Sequence, residues 1–276
     1  MTGVSIIVPA HNEAALLGRC LDNLLSQNKI ERRLEIIVVA NGCTDSTFAI
    51  AQSYSRRFQE HGLGYSPVDL AEGGKTNAIN QGEAIARYQD RIYIDADVVL
   101  SPNAINAVVD AIDREAPVHA CCRLVMDKGQ SWSTELYRRL WYQLPFARDG
   151  FTGGGLYAVN HLGRQRWGQF PAIIADDIFV RSQFSPDERV HVDEECRTNL
   201  AEGFLTLIRV RRRQNSGMRQ LAQMFPDLIK NDPKERLGPG EHIALFLKMP
   251  LAYLTYASII LASRLAGQTA MWARDR

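Results

Sequence analysis

The sequence has almost no net charge, no metal-binding cysteine pattern and no long uninterrupted hydrophobic run. Its 276 residues include 32 Lys and Arg and 31 Asp and Glu, for a net charge of +1. The molecule as a whole therefore offers no strong field for nucleic acid. The five cysteines lack C-x-x-C spacing and indicate buried thiols in a reducing compartment. Hydrophobic residues make up 46%, which is typical of a folded globular chain and argues against disorder.

The two ends of the sequence differ in character. The first residues lead into the strand-like run Val4–Val8, too short for a signal-peptide core, so we expect the catalytic part on the cytoplasmic side. The apolar segment 243–266 is interrupted by Lys248, Pro250 and Arg264, whereas a spanning helix needs about 20 apolar residues. An in-plane amphipathic helix at a membrane surface and a hydrophobic homodimer surface are the favoured interpretations. A packed helix of an ordinary soluble protein is the alternative.

Short β-branched runs alternate with amphipathic stretches over the first two-thirds of the chain, which is the pattern of an α/β fold with a mostly parallel sheet. The predicted strands are Val4–Val8, closed by Pro9, then Leu34–Val39, Tyr65–Val68, Arg91–Ile94, Val118–Val125, Leu156–Val159 and Arg189–Val192. After residue 200 the sequence is helical in pattern, first basic and then apolar. We therefore divide the chain into an α/β domain, 1–200, and a helical extension, 201–276.

Polar clusters follow three of the predicted strands. These clusters are the segment 9–13, Asn41-Gly42 and Asp95-Ala96-Asp97. Open α/β sheets bind ligands just outside the carboxyl ends of their strands, so we expect the three clusters to meet in one crevice. Asn12, within the first cluster, is also expected to cap the next helix.

Asp95 and Asp97 form the predicted metal site. Two carboxylates two residues apart at a strand end can together hold a divalent cation and a ribose hydroxyl. Mg²⁺ or Mn²⁺ would neutralise the charge that grows on a nucleotide-diphosphate leaving group. Asp-x-Asp alone is a frequent chance match in exposed turns, but apolar residues on both sides indicate that this pair lies between buried segments.

A second acidic pair, Asp176-Asp177, follows the apolar run 170–174. A sugar transfer with inversion needs one general base that takes the proton of the acceptor hydroxyl, and we assign this role to Asp177. An aspartate at a helix start can instead be a cap that needs no chemistry, and we assign that role to Asp176.

Three further features suit phosphate binding. Lys75 follows a glycine turn at a predicted helix start, which favours a phosphate or nucleobase contact, although most lysines are simply solvated. The run Gly153-Gly154-Gly155 either lets backbone approach a ligand closely or forms a flexible turn. Arg212 lies in the basic run 209–213, whose arginines fit the donor diphosphate or acidic lipid headgroups. A solvated charged face is the equally weighted alternative.

The ordered set of motifs resembles family 2 glycosyltransferases. It consists of Val8-Pro9-Ala10-His11-Asn12-Glu13, the stretch 38–45, Gly74-Lys75 with Asn80-Gln81-Gly82, Asp95-Ala96-Asp97, Gly153-Gly154-Gly155 and Asp176-Asp177, and it covers roughly residues 4–215. The resemblance implies a GT-A fold, which is a Rossmann-like mixed sheet flanked by helices, and an inverting mechanism. It also implies that Pro9, Asn12, Glu13 and Asn41 line the nucleotide pocket, that Asp95 and Asp97 hold ribose and metal, and that Asp177 is the base.

Two departures from the family pattern refine this expectation. Ala40 stands where members usually carry a carboxylate that helps to hold the nucleobase. The run 209–213 lacks the Trp of the Gln-x-x-Arg-Trp motif found in polymerising members. We therefore expect transfer of a single sugar from a nucleotide-diphosphate donor to a lipid, lipid-linked or polysaccharide acceptor, and leave the nucleobase open.

Two alternatives belong to other functional classes. A sugar nucleotidyltransferase would carry a Gly-rich loop with Arg and Lys after the first strand, where this chain has Pro9-Ala10-His11-Asn12-Glu13. A non-catalytic, membrane-associated nucleotide-sugar-binding protein with a decayed site is disfavoured because both acidic pairs are present. Turnover measurements distinguish the second alternative from an enzyme.

Overall fold

The computed structural model describes residues 3–148, 154–232 and 237–265. The strands are β1 (Gly3–Ala10), β2 (Arg33–Asn41), β3 (Gly64–Leu70), β4 (Asp90–Ile94), β5 (Val99–Leu100), β6 (His119–Met126), β7 (Leu156–Val159) and β8 (Arg189–Thr198). The helices are α1 (Leu17–Leu25), α2 (Thr47–Ser53), α3 (Ser55–Glu60), α4 (Lys75–Ile85), α5 (Ala104–Ile112), α6 (Trp132–Trp141), α7 (Pro145–Arg148), α8 (His161–Arg164), α9 (Asp176–Arg181), α10 (Phe204–Met224), α11 (Pro239–Lys248) and α12 (Pro250–Leu265).

The strands form one mixed sheet in the order β3-β2-β1-β4-β7-β6-β8-β5. The pairs β2–β3, β1–β2 and β1–β4 are parallel, whereas β7 runs antiparallel to both β4 and β6. Strands β1 and β2 are apolar and buried on both faces, as expected for parallel strands covered by helices on each side. The four parallel strands therefore end at the same edge of the sheet.

Helices cover both faces of this sheet. The first core cluster contains Leu17 of α1, Phe58 of α3 and Val108 of α5. The second, on the opposite face, contains Ile79 of α4 and Phe179 of α9. Alternate residues of β1 and β2 enter the two clusters because successive side chains of a strand point to opposite faces.

The predicted strands are all present, with three differences. β1 does not end at Pro9 but continues to Ala10. Proline is tolerated there because the pairing of β1 with β4 ends at Ile7, so the missing N–H breaks no bond of that ladder. β8 runs to Thr198, well beyond the predicted end, and a register shift near Cys122 lets it pair with the whole of β6. The strand β5 has only two residues, too few to show an alternating hydrophobic pattern, and it is absent from the predicted strands.

The residues after 200 pack on the α/β part in several places, among them a small cluster of Leu140 of α6 with Leu245 and Ala252. Leu221 of α10 is buried in the second core cluster. Leu207 of α10, Ile259 of α12 and Trp141 of α6 form a third cluster. No helix within the described ranges combines the length and hydropathy needed to cross a bilayer. The division at residue 200 stays a prediction, and α10 contacts both sides of it.

Candidate active site

The predicted polar clusters meet at the carboxyl edge of the sheet. Asn41, at the end of β2, donates from its amide to the carbonyl of Ala10, 2.8 Å away, and accepts from the backbone N–H of Gly74 at 2.9 Å. His11 Nδ1 lies 2.7 Å from the carbonyl oxygen of Asn41. The side chain of Asn41 is fully buried. Its structural role is to tie the ends of two strands to the turn before α4.

The first motif forms a loop that is fastened to the loop after β2. Asn12 has a left-handed backbone, with φ of 51°, and its side-chain oxygen accepts from the N–H of Thr44 at 2.8 Å. The prediction that Asn12 caps the next helix is wrong, because α1 begins only at Leu17. Glu13 is buried and its backbone N–H donates to the Thr47 hydroxyl at 2.8 Å, while Pro9 is buried within β1.

Close approach of two glycines sets the position of Lys75. Gly42 has φ of 56°, and a Cβ added there would lie 2.8 Å from backbone atoms of Gly73. Only glycine allows this contact without displacement of the backbone. The turn then passes through Gly74, at φ of 135°, and α4 begins with Lys75. The lysine is therefore placed by backbone contacts between two loops.

The Lys75 ammonium bridges the two acidic pairs. Its Nζ lies 2.8 Å from Asp95 Oδ1 and 3.0 Å from Asp176 Oδ1. All three side chains are largely shielded from solvent, with exposures of 19%, 22% and 3%. The carboxylates raise the pKa of Lys75 above its usual value despite the opposing effect of burial, so the lysine is a permanent cation at the centre of the site.

The Asp95-Ala96-Asp97 turn is supported by the glycine run. The N–H of Asp95 donates to the carbonyl of Gly155 at 2.9 Å. Gly155 has φ of 86°, and a Cβ there would lie 2.7 Å from a Val98 methyl. A side chain at Gly154 would also be crowded, because its Cβ would lie 3.1 Å from a methyl of Leu124. Gly153, the first glycine of the predicted run, lies outside the described residues.

The carboxylates of Asp95, Asp97 and Glu13 concentrate negative charge around the Cys20 thiol. Burial raises the pKa of the Cys20 thiol to about 12, and the charges of Asp97, Asp95 and Glu13 contribute to the shift. No group of three or more His, Cys, Asp or Glu that could hold a metal by itself is found in the part of the chain that the structure describes. Mg²⁺ is commonly bound by one or two carboxylates together with substrate phosphates. Asp95 and Asp97 fit a metal that arrives with a nucleoside diphosphate.

Asp176 is not a helix cap. The N-cap of α9 is Ala175, and no side chain caps the helix. Asp176 is 2% exposed and accepts a hydrogen bond from the Tyr157 hydroxyl at 3.0 Å, in addition to its ion pair with Lys75. The prediction of a capping role is therefore wrong, because the carboxylate turns into the protein and joins α9 to β7 and α4.

Asp177, the predicted base, lies beside Asp176 at the start of α9 and is half-buried. Burial and the charge of Asp176 raise its pKa to about 6, although Lys75 and Arg181 act in the opposite direction. A carboxylate with a pKa of about 6 is mostly ionised at neutral pH and still basic enough to take a proton. Among the predicted residues, Asp177 has the electrostatic environment that general-base catalysis needs.

Helix α10 holds the segment that precedes Asp177. Gln220 donates to the carbonyl of Ala172 at 2.8 Å and accepts from the N–H of Ile174 at 3.1 Å. Gly217, one turn earlier, lets α10 approach this segment, because a Cβ there would lie 3.1 Å from Ile174. Arg212 is half-buried on the same helix, five residues before Gly217.

Sequence reasoning missed two residues of this site. Tyr157 follows the glycine run on β7, and its ring stacks on Tyr93 of β4 with centroids 4.7 Å apart. A polar-tipped aromatic directly after a predicted ligand loop is a signal that could have identified it. Gln220 gives no such signal, because a glutamine in a long basic helix is usually solvated.

Comparison with known proteins gives a consistent result. The family model described as glycosyl transferase family 2 matches residues 5–169. Validoxylamine A glucosyltransferase of Streptomyces hygroscopicus is 31% identical over 128 residues, which cover 43% of this chain and 28% of the relative. The 4,4'-diaponeurosporenoate glycosyltransferase of Staphylococcus aureus is 32% identical over 111 residues, covering 39% and 27%. The match thus spans little more than a quarter of the length of these relatives.

Solved structures share the fold over most of the chain. A mannosyltransferase from Pyrobaculum calidifontis, in complex with GDP-Man and Mn²⁺, has a TM-score of 0.63 at 23% identity and covers 97% of this chain and 76% of its own. Glucosyl-3-phosphoglycerate synthase from Mycobacterium tuberculosis, solved with Mn²⁺ and UDP, has a TM-score of 0.55 at 18% identity, covering 80% and 79%. The predicted GT-A fold, with its helical C-terminal part, is confirmed. The matched family model covers more than half of the sequence, and the chain belongs to glycosyl transferase family 2.

Proposed function

We propose that this protein transfers a single sugar, with inversion, from a nucleotide-diphosphate donor to a hydroxyl of a lipid, lipid-linked or saccharide acceptor. The observation that carries the proposal is the Lys75 bridge. It links Asp95 of the predicted metal pair to Asp176, the neighbour of the predicted base Asp177. Donor site and base therefore lie within the reach of one side chain.

The donor site is assigned to the carboxyl edge of the sheet. Pro9, Asn12, Glu13 and Asn41 build the nucleotide side of the crevice, Gly154 and Gly155 support the acidic turn, and Arg212 is assigned to the diphosphate. Asp95 and Asp97 would hold Mg²⁺ or Mn²⁺, which would neutralise charge on the leaving diphosphate. Similar solved proteins contain Mn²⁺ with GDP-Man or UDP, which supports this assignment.

The chemical step follows from the environment of Asp177. The acceptor oxygen forms a bond to the anomeric carbon while the bond from that carbon to the diphosphate oxygen breaks. Asp177 takes the proton of the acceptor hydroxyl, and the nucleoside diphosphate leaves with the bonding electron pair. Asp176 is buried and Lys75 is largely shielded from solvent, and their ion pair of 3.0 Å holds the start of α9, which contains Asp177, in place.

A lipid or membrane-bound acceptor is favoured by the course of α10. Leu207 packs in the cluster with α12, and Gly217 packs on the segment before the base. Ten residues of helix separate them, or about 15 Å at 1.5 Å per residue. One helix, α10, thus connects the C-terminal helices with the segment before Asp177. We propose that these helices contact a membrane surface; a homodimer surface is the competing proposal, and the cytoplasmic location stays a prediction.

The test is a panel of nucleotide sugars with Mn²⁺, measured first by thermal stabilisation and then by sugar transfer to lipid-phosphate and saccharide acceptors. We expect one nucleoside diphosphate to stabilise the protein and its sugar to be transferred by the parent but not by Asp177→Asn. Stabilisation without any turnover would favour the non-catalytic alternative. Release of pyrophosphate from a nucleoside triphosphate and a sugar phosphate would favour the nucleotidyltransferase.

A further inference from the structure

An apolar cavity lies between α6, α11 and α12. Its volume is about 370 Å³. Leu140 of α6 and Leu144, which follows the end of α6, form one wall, and Tyr256 and Ile260 of α12 form another. Leu261 also lines the cavity and is 59% exposed, so the cavity opens at the surface of α12. A cavity with mainly aliphatic and aromatic walls suits a hydrocarbon ligand.

The surface around this opening is apolar. We define the α11–α12 face as six residues that are each more than half exposed: Ile243, Leu247, Leu251, Leu254, Leu261 and Leu265. The opposite side of α12 is buried through Ala252, Thr255, Ile259 and Ser263. A helix that is apolar all round is normally covered on all sides, and large exposed apolar patches mark interaction sites. We therefore expect the α11–α12 face to contact another apolar surface.

The charges around this face distinguish between a second copy of the chain and a lipid surface as the partner. The charged residues of α11 and α12 are Lys248, Arg264 and Glu241, and Glu241 is engaged at the start of α11, where it accepts from the backbone N–H of Gly238 at 2.7 Å. Arg264 and His242 line the cavity, and His242 Nδ1 lies 3.0 Å from the Tyr253 hydroxyl. A two-fold contact with a second copy of the chain would place this cationic surface against itself. An anionic lipid surface instead supplies the opposite charge together with hydrocarbon.

We propose that the cavity binds one hydrocarbon chain of an anionic glycerophospholipid and that the α11–α12 face rests in the headgroup region of the bilayer that provides it. The chain lies between the walls from α6 and α12, and Arg264 at the cavity contacts the lipid phosphate. This inference rests on the membrane contact proposed above and adds a defined lipid-binding site. Binding of the lipid needs neither donor nor sugar transfer.

The cavity is tested with two tryptophan variants of the full chain. Ala257 and Ser258 are both exposed on α12, but Ala257 lines the cavity and Ser258 does not. The probe is a monomeric single-chain lysophosphatidylglycerol, titrated by calorimetry. We expect Ala257→Trp to weaken binding at least about tenfold, because the indole displaces several methylenes, and Ser258→Trp to bind like the parent. Equal affinity of Ala257→Trp and the parent would overturn the proposal.

The face is tested by flotation with phosphatidylglycerol-containing vesicles and with pure phosphatidylcholine vesicles. We expect the parent to float mainly with the anionic vesicles, Leu254→Glu to stay unbound, and Ile85→Glu, a matched change of an exposed apolar residue on α4, to float like the parent. Failure of the parent to float would overturn the proposal. So would a parent dimer in sedimentation that Leu254→Glu dissociates without any lipid binding.

These outcomes separate the inference from the proposed function. Asp177→Asn is expected to bind both lipid probes like the parent, because Asp177 lies on α9 and not at the cavity. A protein that binds lipid and transfers no sugar would refute only the proposed reaction. A protein that transfers sugar to a soluble acceptor and binds no lipid would refute only the lipid site.

Discussion

The adjacent carboxylates Asp176 and Asp177 are expected to respond in opposite directions to the same substitution. Burial and the charge of Asp176 raise the pKa of Asp177 from 3.8 to about 6. At 1.36 kcal/mol per unit, this shift corresponds to a cost of about 3 kcal/mol for the ionised folded state. Because the folded pKa is raised, the contribution of Asp177 to stability is most favourable below about pH 3.8 and is lost as the pH rises through about 6. Asp177→Asn removes this cost at neutral pH.

We therefore expect Asp177→Asn to unfold at a higher temperature than the parent at pH 7, by up to roughly 6 to 12 °C at 2 to 4 °C per kcal/mol. The difference should shrink towards pH 4, where the parent carboxyl is protonated. Sugar transfer should fall about a hundredfold to ten-thousandfold, because the amide cannot take the acceptor proton. Donor affinity should stay unchanged, since the donor is held by other residues.

Asp176→Asn is the matched control. It removes one partner of the buried Lys75 pair, but Lys75 keeps Asp95 at 2.8 Å, so we expect a loss of about 1–3 kcal/mol of stability. Because the charge of Asp176 raises the pKa of Asp177, the acid limb of kcat/KM, centred near pH 6 in the parent, should move to lower pH. Calorimetric unfolding and pH profiles measure both effects. If Asp177→Asn melts at or below the parent temperature at pH 7, the electrostatic reasoning is wrong.

Three further changes test the metal assignment, the hydrogen bonds from Gln220 of α10 to the segment before Asp177, and the contact of the glycine run with the Asp95 turn. Nucleoside-diphosphate binding should require Mg²⁺ or Mn²⁺ and should weaken in Asp97→Asn; calorimetry that finds equal parent affinity with and without EDTA would contradict the metal assignment. Gln220→Ala should lower kcat about tenfold or more with an unchanged donor Kd, because both hydrogen bonds to the segment before Asp177 are lost. An unaltered transfer rate would show that these hydrogen bonds do not position Asp177. Gly155→Ala should lose about 1–3 kcal/mol because φ is 86° and its Cβ would meet Val98, whereas Gly154→Ala should lose less in the same thermal unfolding experiment.

Local sequence patterns were sufficient to place the acidic residues at strand ends. Val4–Val8 and Arg91–Ile94 are apolar, β-branched and short, so both the strands and the polar residues that follow them could be predicted. The roles of Asn12 and Asp176 could not be predicted in the same way. An aspartate or asparagine near a helix start has the same local signal whether its side chain caps the helix or turns inward. In Asp176 the inward direction is set by Lys75 and Tyr157, which lie far away in sequence.

The sequence by itself determined the seven longer strands along the chain, the family and the two acidic pairs, because these depend on residue type and on spacing along the chain. Only the tertiary structure decided that Lys75 joins the pairs, that Gln220 holds the segment before Asp177 and that one side of α12 is exposed among the described residues. Each of these depends on a distance between elements remote in sequence. Such distances are set by how the sheet and helices pack, and the pattern of residues along one element contains no measure of them.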